Sequence, residues 1–213
     1  MPLLIYIYDA YCGWCYGFSP VIKQIADQYK DKLQFEVLSA GMILPEKPIH
    51  INAVAGFIAQ AYKTVEERTG VEFGKDYLWH IFNPDQSDWY PNSEKPAIAL
   101  CVLKQMLPDK VVQFAADFQH ALHYEGRDLT DDEAYRHILD KYGLDTEAFF
   151  QQLKSEDYRK MAHEEFNLVK QLQVAGFPAV YIQDADGKFY QLTEGYVDYQ
   201  ELTEKISRYF KGQ

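Results

Sequence analysis

Leu3-Leu4-Ile5-Tyr6-Ile7-Tyr8-Asp9-Ala10-Tyr11-Cys12-Gly13-Trp14-Cys15 joins an unbroken apolar run to a pair of cysteines separated by two residues. The run, Leu3 to Tyr8, is rich in strand formers and lacks polar alternation, the pattern of a strand buried on both faces of a sheet. It predicts a central strand. Beyond the cysteines, after Ser19-Pro20, the residues Val21, Ile22, Ile25, Ala26 and Tyr29 recur at helical spacing and stop near Lys30 to Lys32. Gln34 to Ser39 (QFEVLS) returns to strand character. The first third therefore reads as a βαβ unit, with a right-handed crossover and parallel strands.

From Gly41 to about Val174 the period is helical. Phe57, Ile58, Ala61, Tyr62 and Val65 form one stripe that stops at Gly70. Ile98, Cys101, Val102, Gln105 and Met106 mark a second helix behind Asn92-Ser93 as cap candidates, and Val111 to Tyr124 a third between Pro108 and Gly126. Thr130-Asp131-Asp132-Glu133 has the form of a capping box, predicting a helix from there to about Tyr142. Asp145 to Leu153 and Glu156 to Leu172, the latter capped by Ser155, complete this part. At the end of the chain, Ala179 to Gln183 and Lys188 to Leu192 flank Asp184-Ala185-Asp186-Gly187, an antiparallel hairpin signal. A last helix starts at Asp198-Tyr199-Gln200-Glu201, with Leu202, Ile206, Tyr209 and Phe210 on its apolar face. Neither end makes a useful sheet alone, so the two must pair across the helical middle. The expectation is an α/β fold in which residues 1–42 and 175–213 form one domain and 43–174 an inserted helical lobe.

The 213 residues are 47% hydrophobic and 25% charged, the balance of a globular protein large enough to fold without disulfide staples. With 21 basic against 32 acidic residues, the net charge is −11, which argues against a nucleic-acid partner. No apolar run is long enough to span a membrane, and Met1-Pro2 begins no signal peptide; a cytoplasmic location is the expectation.

Cys12-Gly13-Trp14-Cys15 stands where the first strand ends and the first helix begins. Unpaired amides and the positive dipole end of a helix start favour a thiolate at Cys12, the expected nucleophile. One turn on, Cys15 lies on the same side, more buried, in reach of a mixed disulfide at Cys12. Zinc would want further ligands, and no second Cys or His pair stands at the required spacing. Haem attachment would need His where Tyr16 stands. Far downstream, Gly176-Phe177-Pro178 joins the last insertion helix to the returning strand. Beside an active dithiol, a cis Phe177-Pro178 bond is favoured there over a trans proline that merely ends a helix. Cys101 reads as a core residue, and His120 and His123, three apart on one helix, lack metal-binding partners nearby in sequence. Asp9 is placed for proton transfer or, the commoner use, for capping its own loop.

A CxxC after the first βα junction, a Gly-hydrophobic-Pro before a hairpin and a helical insertion between them resemble the thioredoxin superfamily, in its DsbA-like branch. Tyr-Asp-Ala-Tyr-Cys-Gly-Trp-Cys-Tyr-Gly-Phe (residues 8–18) is similar to the predicted cytoplasmic protein-disulfide isomerases of that branch, the FrnE-related group. The resemblance implies a thioredoxin fold with a large helical insertion, Cys12 as attacking thiol, Cys15 as resolving thiol and Pro178 as a cis-proline facing them. It implies thiol- or disulfide-containing proteins or peptides as partners and no bound cofactor, with exchange against glutathione or another thiol. DsbA itself has a buried acid six residues before the first cysteine and Pro-His inside the motif. Here Tyr6 and Gly13-Trp14 replace them, which points to a less oxidising pair. Tyr11, Trp14, Phe18 and the backbone of Phe177 are expected to line a peptide groove. The alternative is a glutathione-dependent isomerase or transferase of the kappa-class or hydroxychromene-carboxylate isomerase type, acting on a small aromatic molecule. Those relatives usually have Ser at the first position and lack the second Cys. A third reading is a binding protein that keeps the fold without turnover.

Overall fold

The computed structural model describes residues 1–212. β1 (Leu3–Tyr8), α1 (Gly13–Tyr29) and β2 (Gln34–Ser39) come first, and β3 (Ala179–Gln183), β4 (Phe189–Glu194) and α9 (Tyr199–Lys211) last. Between them run α2 (Asn52–Thr69), α3 (Lys75–Phe82), α4 (Glu94–Met106), α5 (Val111–His123), α6 (Arg136–Tyr142), α7 (Thr146–Leu153) and α8 (Glu156–Gln171). The strands lie in the order β2-β1-β3-β4, with β1 parallel to β2 and antiparallel to β3, and β3 antiparallel to β4.

β1 is thus central, as its apolar run predicts. Alternate side chains leave a strand on opposite faces. Leu4, Tyr6 and Tyr8 enter the larger core with residues of α1, α4, α5 and α9, while Ile5 and Ile7 enter a smaller one closed by Val169 and Leu172 near the end of α8. At about 1.5–3 kcal/mol for each large side chain taken from water, burial on both faces makes this strand the anchor of the sheet. Pro20 lies inside α1 without ending it, at the expense of one helical hydrogen bond, because the helix is held on both sides by core contacts.

Ser155 and Asp198 cap α8 and α9 with their side chains, as expected, and Asp145, read as the start of its helix, caps α7 in the same way. Thr130 does not cap a helix. Its amide and hydroxyl both donate to Asp128 Oδ1 (2.8 Å each), so Asp131 instead accepts from Glu133 N, a short 3-10 turn spans Asp132–Tyr135, and α6 begins only at Arg136. Asn92 and Ser93 divide their expected role: Asn92 Oδ1 accepts from Glu94 N, whereas Ser93 turns inward to Asp9. α3 was not anticipated. It has only eight residues, and Trp79 and Phe82 on it are exposed, so no clean apolar stripe marks it. Its start hangs on the end of α5 through Gly74 N–H donating to the His123 carbonyl (2.9 Å). A side chain at Gly74 would place Cβ 1.7 Å from the Tyr124 carbonyl oxygen, so the close approach requires glycine.

A partly buried ionic cluster ties α4 and α8 to β2. Lys104 Nζ lies 2.6 Å from both Glu36 Oε1 and Glu165 Oε1, Glu165 Oε2 accepts from Ser39 N (2.9 Å), and the Cys101 thiol donates to Glu165 Oε1 (3.4 Å). Cys101 is buried, as expected, but beside a carboxylate. No helix among the described residues is long and apolar enough to cross a membrane.

Candidate active site

β1 ends at Tyr8, and the next three residues turn the chain so that the Asp9 carbonyl accepts from Cys12 N (3.1 Å) and Asp9 Oδ1 from Tyr11 N (3.0 Å). Cys12 is then the N-cap of α1, with extended backbone (φ −82°, ψ 110°), and its Sγ accepts from Cys15 N at 3.4 Å. The sulfur occupies the place of the oxygen of a capping Ser or Asp, where it meets the free amides and positive end of the helix. The Cys12 thiol is held below its ordinary pKa, first because the Cys15 thiol donates to it and then by the amides of Cys15 and Trp14. Burial and the charge of Asp9 oppose this. Cys15 is pushed the other way, by burial first and by the Cys12 thiolate second. Exposure agrees with the direction: 8% for Cys12 and 0% for Cys15.

Facing the pair is the start of β3. The Phe177-Pro178 bond is cis, the Phe177 carbonyl lies 3.9 Å from Cys12 Sγ, and the buried Pro178 is held by its carbonyl accepting from Gly195 N (2.8 Å). Behind Cys15, its carbonyl lies 3.5 Å from the Tyr6 hydroxyl and 3.2 Å from that of Ser19, whose proton goes to Gln119 Oε1 (2.6 Å). Gln119 Nε2 in turn donates to the Asp9 carbonyl (3.3 Å). Asp9 itself is buried; Oδ1 also accepts from the Ser93 hydroxyl (2.9 Å) and Oδ2 from Met42 N (2.7 Å). Burial raises its pKa, and these donors restrain the rise. The loop-capping reading of Asp9 is what the geometry shows, extended by a bridge from the dithiol turn to α4.

A groove of about 380 Å³ opens beside Cys12. Tyr11, Gly13 and Trp14 form one wall, Met42 and Ile43 an end, and Val54, Phe57, Ile58, Ala61, Tyr62 and Val65 of α2 the other wall, with Phe73 and Tyr77 also lining it. Of the residues expected here, Tyr11 and Trp14 line the groove, and Phe177 stands across Cys12. Phe18 is a correction: it is fully buried (0% exposed), packed against Tyr6 and edge-on to Tyr196, because its position on α1 faces the sheet. The α2 face is the part of the groove that sequence reasoning missed. Its stripe is visible as periodicity, but Phe57 is 76% exposed rather than core. His120 and His123 do not share a site: His120 is exposed beside Glu125, whereas His123 is buried and stacked on Tyr16, with burial lowering its pKa to about 4. Among the described residues no group of three His, Cys, Asp or Glu side chains is placed to hold a metal ion.

Known proteins share this fold. A crystal structure of a candidate protein disulfide isomerase from Nitrosomonas europaea is 23% identical, with TM-score 0.87 over 100% of this chain and 98% of that one. The cytosolic disulfide reductase DsbM from Pseudomonas aeruginosa is 23% identical, with TM-score 0.78 over 99% and 100%, and its glutathione-containing structure gives 24% and 0.75 over 98% and 99%. The ClpXP adapter protein SpxH of Bacillus subtilis is 22% identical over 84% of this chain, which spans 58% of that protein's length. The DSBA-like thioredoxin domain matches residues 4–207. With the thioredoxin sheet, the helical insertion and this match over nearly its whole length, the chain belongs to the DSBA-like thioredoxin domain family, whose members are generally thiol-disulfide oxidoreductases.

Proposed function

We propose that this protein exchanges disulfides in protein or peptide substrates in the cytoplasm, working in the reducing-to-isomerising direction. The observation that carries the reading is the asymmetry of its two thiols: Cys12 capping α1 with a lowered pKa, and Cys15 buried behind it with a raised one. Cys12 thiolate attacks one sulfur of a substrate disulfide, the other leaves as a thiolate, and Cys12 is left in a mixed disulfide. That bond removes the Cys12 charge, one of the influences holding the Cys15 proton. Cys15, once deprotonated, attacks Cys12 Sγ, releasing the second substrate thiol and closing an enzyme disulfide. A thiol such as glutathione returns the enzyme to its dithiol form, at the cost of its own oxidation. In isomerisation the substrate's own second thiol resolves the mixed disulfide, and no net oxidation occurs.

The substrate backbone is gripped where the Phe177 carbonyl faces Cys12, as an added strand, with Pro178 withdrawing an N–H that would otherwise sit near the sulfur. Direction follows from the Cys12 surroundings. None of the leading influences on its thiol is a cationic side chain, and the neighbouring Asp9 charge opposes the thiolate. Less thiolate stabilisation means a less oxidising pair. A cytosolic disulfide reductase of the same fold, solved with glutathione, supports both compartment and co-substrate. Both thiols argue against the small-molecule isomerase alternative, which needs no resolving cysteine. Insulin reduction and titration of the Cys12/Cys15 pair against glutathione test the reading. A potential as high as the roughly −120 mV of DsbA would overturn the direction, and no insulin reduction together with glutathione conjugation of an aromatic compound would favour the alternative.

A further inference from the structure

The groove beside Cys12 has a chemistry that generic disulfide exchange does not require. Its α2 wall is apolar from Val54 to Val65, with Phe57 left 76% exposed and Val54 37% exposed. The same helical face ends differently. Arg68, three residues after Val65 and so on the same side of α2, is exposed, and its guanidinium carbon lies 5.6 Å from the centre of the Trp14 ring. Arg127, Arg136, Arg159 and Arg208 each pair with a carboxylate; among the described residues, Arg68 is the one arginine that does not. In a chain of net charge −11, Arg68 stands apart from the paired arginines as a cation over the tryptophan of the dithiol motif, a residue that itself lines the apolar groove.

Resting on the exchange reading, the geometry points to a substrate of defined composition: an extended peptide segment with a carboxylate next to its reactive cysteine and large apolar side chains on the other side. Trp14 lines the groove together with Cys12, so a group meeting Arg68 across the Trp14 ring enters at the dithiol side of the groove. From Arg68 back to Phe57 the helix rises roughly 16 Å, a span of about five extended residues. The apolar side chains lie on Phe57, Ile58 and Tyr62, and the carboxylate pairs with Arg68. Glutathione meets only part of this description. It has carboxylates for Arg68 but no apolar side chain for the α2 face, and is therefore a poorer occupant of the groove than a protein segment.

Thiol-free peptides, with Ser in place of the cysteine, test recognition apart from chemistry. Three eight-residue probes suffice: one with Glu beside the Ser and Leu and Phe beyond it, a second with Lys replacing the Glu, and a third with Ser replacing the Leu and Phe. By calorimetry the first should bind about two- to fivefold more tightly than the second, the range of an exposed ion pair, and about tenfold or more tightly than the third. Arg68→Glu should invert the order of the first two, and Phe57→Ser, at an exposed position, should narrow the gap to the third. Equal affinity for all three, or an order unchanged in Arg68→Glu, overturns the inference. A protein that ignores peptide composition yet reduces insulin keeps its exchange function and loses this groove assignment. The expected binding order without any insulin reduction keeps the groove and overturns the exchange reading.

Discussion

Cys12 and Cys101 are both buried thiols in polar company, and their surroundings drive them in opposite directions. Cys12 stands at the start of α1, where backbone amides have no helical partner and donate to its sulfur. Cys101 lies in the middle of α4, where every amide is used by the helix, and it donates to the Glu165 carboxylate. For Cys101, burial and then the Glu165 charge raise the pKa, with Lys104 opposing. A thiol becomes a nucleophile through the donors and charges its place in a helix supplies, not through exposure alone, since neither sulfur is freely open to solvent.

The largest expected effect separates the two regions outright. Cys12→Ser should abolish insulin reduction, Cys15→Ser should accumulate mixed disulfides on Cys12 detectable by mass spectrometry, and Cys101→Ala should leave turnover within about twofold. Adducts on Cys15 in the Cys12→Ser protein would reverse the assignment of roles. Next in size is alkylation. Since the Cys12 pKa is lowered, the thiolate persists below the ordinary thiol range, and iodoacetamide at pH 7 should label Cys12 first, with Cys101 reacting only on unfolding. The sign for stability follows. A thiol whose folded pKa is depressed contributes stability that is full above the unfolded pKa of about 8.5 and is lost as pH falls through its folded pKa. The reduced protein should therefore gain stability over Cys12→Ser as pH rises toward about 8.5. Cys15, shifted upward, contributes its change only above that range.

The cluster around Cys101 should matter to the fold instead. For Lys104, burial works to depress the pKa, and the charges of Glu165 and Glu36 outweigh it. Lys104→Met leaves Glu165 largely buried without its cation, and urea denaturation should show a loss of about 3 kcal/mol while turnover per folded molecule stays within about twofold. The smallest effect probes the bridge between the dithiol turn and α4. Ser93→Ala removes a donor from Asp9 and an acceptor from Ile43 N, and should cost about 1–2 kcal/mol by the same measurement. Because Ile43 and Met42 close one end of the groove, this variant should also raise the KM for peptide disulfides more than it lowers kcat.

Much of this was legible in residue order because it depends on neighbours in sequence. Leu3 to Tyr8 announces a strand buried on both faces, Asp145, Ser155 and Asp198 announce helix starts, and a CxxC at a βα junction announces which thiol is activated, since each rests on local hydrogen bonding or period. What was missed or misread has one cause. The α2 stripe, Phe18 and Thr130 each have the right local pattern, but which face meets solvent, sheet or another side chain depends on elements far away in sequence. Phe57 is exposed because nothing covers that end of α2, and Thr130 fails as a cap because Asp128 holds it. The Lys104–Glu165–Glu36 cluster and the links of Asp9 to Ser93 and Met42 join residues 33 to 129 positions apart, distances at which period and capping are silent. Sequence by itself determined the strands, the helix starts and the reactive cysteine, because short-range geometry suffices for them; the groove, its cation at Arg68 and the ionic clasp of the sheet were decided by tertiary structure, because only packing brings distant side chains within a few ångströms.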